Sequence, residues 1–205
     1  MIDFHTANTS NGQRVAIMLE ECGLAYELHR IDLVAGEQRK PEYLAINPAG
    51  AIPAIVDHQG PGDARLTVAQ SGAILLYLAD KTGLFVPRDP RRRAEALQWL
   101  FQATTDAAAS SMMIFVLSRL APEQSDANLA FCEERALRHF RVAEARLADR
   151  EYLAGEISVA DFALYPLTVV RRPLIDRAGD LPNLVRWADA MGARAGVARG
   201  MSAAE

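Results

Sequence analysis

The sequence predicts a mixed α/β domain followed by an all-α domain. Three observations carry this. Strand-like alternation is confined to the chain before Ser71. Every segment beyond Ala94 repeats its apolar residues with helical period. The charge balance also shifts at Thr82: 6 Lys+Arg face 10 Asp+Glu up to that residue, and 16 face 16 beyond it.

The front domain reads in order. Met1 to His5 is a short strand, and a helix pattern follows from Gly12 to about Cys22, stopped by Gly23. "YELHRIDL", Tyr26 to Leu33, alternates as a second strand. "KPEYLAINP" is a short helix entered through Pro41 and closed before Pro48. "IPAIVDH" is a strand with proline near its start, a position compatible with a strand's first residue. "GPGD" is a turn, "ARLTVA" a strand and "QSGAILLYLADKTG" a helix. The order β-α-β-α-β-β-α implies a four-stranded mixed sheet with helices packed on it. The expected boundaries are 1–82 for this domain, 83–91 for a polar linker through "LFVPRDPRRR", and 92–205 for the all-α domain. In the latter, Pro122, Gly155 and Pro182 punctuate the helices.

Composition narrows the function. The chain has 205 residues, half of them apolar, enough for one large domain or two small ones. A net charge of −4 offers no basic face for nucleic acid. No uninterrupted apolar run approaches the roughly 18 residues of a membrane helix, and no basic-then-apolar leader opens the chain. The expectation is a soluble cytoplasmic protein. Cys22 and Cys132 lie far apart in helix-like apolar contexts and read as buried free thiols. The four histidines are scattered in sequence and no metal-ligand spacing occurs, so no metal is expected.

Four motifs remain. "TANTSNG" clusters hydroxyls and amides ahead of the first helix, where helix-end N–H groups and a partial positive charge favour an anion. Ile52–Pro53 opens the third strand. In a thioredoxin-like sheet this proline is cis, and the N–H and C=O of the preceding residue can pair with an extended peptide. Ser71 reads as an N-cap, and Gly72 lets a ligand approach the helix start, which suits a carboxylate beside Gln70. Ser158-Val159-Ala160-Asp161 is a capping box.

Together these motifs resemble the cytosolic glutathione transferases. The likeness is greatest to the bacterial Nu class, disulfide-bond oxidoreductases active on glutathione disulfide. The residues that carry it are "NGQRV", "NPAGAIPAIVDH", "SGAILLYLADKTGLF", "LQWLF" and "SVAD". The resemblance implies a thioredoxin-like N-terminal domain and an all-helical C-terminal domain. It implies glutathione as co-substrate, a small electrophile or disulfide as second substrate, and a homodimer. It assigns glutathione binding to Asn11, Gln38, Ile52 with Pro53, Gln70 and Ser71. Arg135 matches an arginine that reaches the glutathione of a dimer partner. Thr9 and Asn11 match the residues that stabilise the glutathione thiolate, with Ser10 the alternative used in other classes. Three positions depart from the family pattern: Gln70 where Glu is frequent, Ala51 where Lys is frequent, and Ser10 where this class has proline.

The implied activity is thiol–disulfide exchange or addition of the thiolate to an electrophilic carbon. A different class stays open, in which the same fold serves as a non-catalytic binding or partner-docking module. The missing cysteine at the first helix opposes a glutaredoxin-like protein. The pocket for the second substrate is expected between the front domain and the first long helix, lined by "TTDAAASSMMIF". Met112 and Met113 read as core or groove fillers.

Overall fold

The computed structural model describes residues 1–203. Its contacts divide the chain into two units: residues 1–84 together with the chain from Ala193 onward, and Phe85–Gly192.

In the first unit, β1 (Ile2–Thr6), β2 (Tyr26–Arg30), β3 (Ala54–Asp57) and β4 (Leu66–Ala69) form one sheet in the order β2-β1-β3-β4. β1 runs parallel to β2 and antiparallel to β3, and β3 pairs antiparallel with β4. Alternation decides the faces. Ile2, Phe4 and Thr6 are buried, while Asp3 and His5 are half-buried on the opposite face. The helices of this unit are α1 (Ser10–Glu21), the short α2 (Pro41–Leu44) and α3 (Ser71–Thr82). Asp57 closes β3 in a buried polar knot. It accepts from the Tyr77 hydroxyl at 2.6 Å and the Gln59 N–H at 2.9 Å, with the Lys81 ammonium 2.8 Å away, and so pins α3 to the sheet.

α1 is buried along its whole middle, from Gly12 to Leu19. A helix buried on all sides needs neighbours on all sides. α3 supplies one, and the last helix, α10 (Ala195–Ser202), supplies another. The sequence reading put this helix with the all-α domain. The physical reason for its place is small residues and charge. A methyl group built on Gly200 would lie 2.5 Å from the backbone of Ile17, so only glycine lets the two helices approach this closely. At the rim, Arg194 binds both oxygens of Glu21 at 3.1 and 2.6 Å, and Arg199 binds Glu20 at 2.6 Å.

In the second unit, α4 (Pro90–Phe101), α5 (Ala108–Phe115), α6 (Asp126–Leu147), α7 (Val159–Val170), α8 (Arg172–Ala178) and α9 (Pro182–Gly192) pack together. α4 begins earlier than the sequence suggested. Asp89 caps it by accepting from the Arg92 N–H at 2.9 Å, and Pro90 takes the first helical position, where its missing N–H costs nothing. The expected linker is also partly core: Val86 is buried, and the Phe85 ring meets Phe162 edge-on at 4.8 Å. Two π-helical stretches, Gln102–Ala107 and Val116–Leu120, flank α5. An 18-residue stretch within 90–120 has mean hydropathy 1.3, long and apolar enough by length and composition to cross a bilayer. Here it is folded onto α6 and α7.

The capping box organises this unit. Asp161 is fully buried and accepts from the Leu153 and Ser158 N–H groups, the Ser158 hydroxyl and the Trp187 indole N–H, at 2.9–3.1 Å. Burial pushes its carboxyl up to about 6, against the pull of those four donors. Glu144 on α6 does a similar service for α9, accepting from the N–H groups of Asn183 and Leu184.

Gly200→Ala should lower the unfolding free energy of the protein by about 1–3 kcal/mol, because an added methyl in a filled interface displaces backbone. Urea denaturation followed by circular dichroism reads the loss.

Candidate functional site

The sheet register gathers the candidate residues. His5 pairs with Ala54, Ala54 pairs with Ala69, and Thr6 pairs with Arg30. The C-terminal ends of β1, β2 and β4 and the start of β3 therefore share one edge. From that edge leave the loop into α1, the segment bearing Gln38, the Ile52–Pro53 turn and the start of α3.

α1 begins in close contact with β1. A methyl group on Gly12 would fall 2.2 Å from the Thr6 hydroxyl, so glycine is needed for the helix to start there. Thr9 is the N-cap: its hydroxyl oxygen accepts from the Gly12 N–H at 3.2 Å. That use leaves the Thr9 O–H to donate elsewhere. Ser10 occupies the first helical position, and its hydroxyl makes no hydrogen bond among the described residues. No acidic residue sits in the first turn of α1 to neutralise its partial positive charge.

Asn11 is fixed by a residue that the sequence reading passed over. Arg14, only 1% exposed, donates one Nη to Asn11 Oδ1 at 2.7 Å and to Ser71 Oγ at 3.3 Å. Burial lowers the guanidinium to about 10, so it remains a cation at neutral pH. A guanidinium only donates, so the amide oxygen of Asn11 must face it. The Asn11 NH₂ is thereby turned away from Arg14 and offered as a donor. The signal was present in "SNGQR": Asn11 and Arg14 stand three apart on one helix face.

Ser71 is the first residue of α3 and not its cap. The cap position belongs to Gln70, whose φ of +72° is unusual for a residue with a side chain. Ser71 Oγ accepts from Arg14 at 3.3 Å. The early N–H groups of α3 have no intrahelical acceptor and no acidic neighbour in the first turn. The Gln70 side chain is exposed beside them.

The Ile52–Pro53 peptide is cis. Its approach is held from behind: the Ala51 carbonyl accepts from the Tyr43 hydroxyl at 2.7 Å and from Asn47 Nδ2 at 2.5 Å. Burial pushes the Tyr43 phenol up to about 12, so it stays a donor. Ile52 itself takes no part in the β3 ladder. Gln38 lies next to this turn, its carbonyl 3.2 Å from where a Gly50 methyl would stand. Its side-chain Oε1 is buried without a hydrogen-bond partner.

Arg135 belongs to the second unit, exposed on α6. In that unit a cleft of about 380 Å³ is lined by Gln98, Trp99, Phe101, Gln102, Thr105 and Val142, among others. Of the expected substrate lining, Met112 and Met113 are about half exposed, which removes them from the core.

Residues 10–81 match the family described as "Glutathione S-transferase, N-terminal domain", and residues 107–195 match "Glutathione S-transferase, C-terminal domain". The disulfide-bond oxidoreductase YfcG of Escherichia coli (strain K12) is 40% identical over 168 residues, which is 81% of this chain and 78% of that protein. The chain belongs to the glutathione S-transferase family.

Solved glutathione transferases share its fold closely. One from Burkholderia graminis, with two glutathione molecules bound per subunit, is 34% identical and covers 98% of this chain and 87% of its own, with a TM-score of 0.92. Another from Pseudomonas putida, with one glutathione disulfide per subunit, is 29% identical over 98% of this chain and 90% of its own, with a TM-score of 0.91.

Within this glutathione transferase, Arg14→Lys should keep the charge but lose the fork that serves two acceptors. We expect about 1–3 kcal/mol lower unfolding free energy, since a buried acceptor is left unpaired. A denaturant titration of wild type and variant measures it.

Proposed function

We propose that the chain is a glutathione-dependent oxidoreductase that reduces disulfides by direct exchange with bound glutathione. The observation that carries this reading is the start of α1, where the Arg14-oriented Asn11 amide and the Thr9 hydroxyl are free to donate and no cysteine is present. Cys22 stands at the opposite end of α1, 3.6 Å from the Thr82 hydroxyl, and burial pushes its thiol pKa up. Cys132 is buried in the second unit. The nucleophile must come with the ligand.

In this reading glutathione lies along the Ile52–Pro53 turn, its backbone pairing with Ile52. Its γ-glutamyl end sits at Gln70 and the N-terminus of α3, and Gln38 receives a donor at its unpaired oxygen. Its sulfur faces Thr9 and Asn11. Two donors and a helix N-terminus favour thiolate over thiol. The thiolate attacks one sulfur of the substrate disulfide, the S–S bond breaks, and the leaving sulfur departs as thiolate. A second glutathione attacks the resulting mixed disulfide, releasing the other substrate thiolate and glutathione disulfide. The Burkholderia relative's two glutathione molecules per subunit support a site that accommodates both. The reading extends to a cytoplasmic homodimer in which Arg135 reaches the glutathione of the other subunit.

The test compares glutathione-dependent reduction of a small disulfide with conjugation of glutathione to a chloronitrobenzene. Disulfide reduction should be at least about tenfold faster in kcat/KM. Faster conjugation would make this an electrophile-directed transferase. No heat of binding at millimolar glutathione would point instead to a partner-docking module.

Asn11→Asp keeps the acceptor for Arg14 but aims an anionic oxygen at the sulfur. It should lower turnover by about 100-fold, the scale of losing one donor to a developing anion. Ser10→Ala should leave turnover within about twofold, since only a group that touches the thiolate changes its energy. The opposite ranking would hand the thiolate to Ser10.

A further inference from the structure

Three of the four histidines, scattered in sequence, meet on one face of the sheet. Asp3 and His5 are two apart on β1 and so project to the same side. The parallel register sets Glu27 opposite Asp3 and His29 opposite His5. The rings of His5 and His29 lie side by side, 4.5 Å apart and within 16° of parallel. One ligand atom from each of Asp3, His5 and His29 falls within 4.8 Å of the others. His58, just past β3, binds Asp3 Oδ2 through Nε2 at 2.8 Å, while Asp3 Oδ1 is 3.8 Å from His29 Nε2. None of these residues belongs to the glutathione site.

One atom in this cluster lacks an ordinary explanation. His29 Nε2 is shielded from water and has no hydrogen-bond partner. A buried polar atom left unpaired is destabilising, and a ring nitrogen with a lone pair is a ligand in waiting. Both nearby carboxylates, Asp3 and Glu27, stand 3.8 Å from it, too far to bond directly.

We propose that Asp3, His5 and His29 form a divalent transition-metal site, of zinc type, on the half-buried face of the sheet. Two imidazoles and a carboxylate match the borderline-soft preference of Zn²⁺. Bond lengths of about 2 Å require the donors to close by roughly 1 Å each, within reach of side-chain rotation. His58 is a positioning residue: it holds the second oxygen of Asp3 and so aims the first, the usual work of an outer partner at a metal site. The side chains of Asp3, His29 and His58 are 22%, 36% and 45% exposed, so the rotations that close the donors can also open His29 Nε2 to an entering ion. An ion there would clamp β2, an edge strand, to β1. The fourth position would hold water.

The test uses the full chain without a histidine tag, stripped by a chelator and titrated with Zn²⁺ in calorimetry, without glutathione. One Zn²⁺ per chain is expected, with Co²⁺ substitution giving the visible spectrum of a low-coordinate site. His29→Gln and Asp3→Asn should each weaken binding at least tenfold, and His58→Gln by less. His139→Gln, on α6 of the other unit, should leave it unchanged. Glutathione affinity, measured separately, serves as the folding control and should hold in all four variants. The proposal is overturned if the wild type takes up no Zn²⁺ at millimolar concentration. It is equally overturned if His29→Gln and Asp3→Asn both bind as the wild type does, or if His139→Gln alone removes the ion.

Discussion

The candidate site depends on one buried cation. Arg14 lies inside the first unit, where an unpaired guanidinium would be very costly. Its acceptors on α1 and α3 are therefore obligatory, and they set the geometry of two helix starts at once. Asn11 has to turn its oxygen inward, and its amide hydrogens face out as a result. Ser71 turns its hydroxyl oxygen to the same cation from the first position of α3, just after Gln70 with its φ of +72°. The arrangement holds donors in place before any ligand arrives, which is what stabilising an anion requires.

Most of the fold was legible because its signals are local. The period of two in β1 and β2, Gly23, Pro41, Pro53 and the Ser158–Asp161 box each say where an element starts or stops. What escaped was whatever depends on distant partners. Arg14 looks like a surface residue in a run of polar side chains, and it becomes an interior one only through tertiary packing around α1. Asp89–Pro90 is a good helix start hidden in a run of arginines. The π-helical turns around α5 leave no mark in the residue pattern. The histidines illustrate the same limit: positions 5, 29 and 58 share nothing along the chain and become neighbours only through strand pairing.

The second unit is held by a mirror of the first arrangement, an interior anion instead of an interior cation. Asp161 gathers four donors from three segments, as Arg14 gathers acceptors from two helices. The box was readable as a helix cap, but its tie to Trp187 was not, because that contact joins α7 to α9. Asp57 adds a second buried charge to the first unit, and in each case the partners of the buried charge tie separate segments together.

The position of α10 bears on how the molecule is made. α1 leaves the ribosome well before α10, and the groove it offers to Gly200 cannot be filled until the whole second unit between them has been made. Contacts between segments so far apart in sequence close late and slowly, since the whole intervening chain must be ordered or looped out. Until α10 emerges, the helix that carries the donor residues has a bare apolar flank, and the nascent chain holds its chemistry incomplete. Synthesis of α10 then acts as an assembly step for the site at the start of α1.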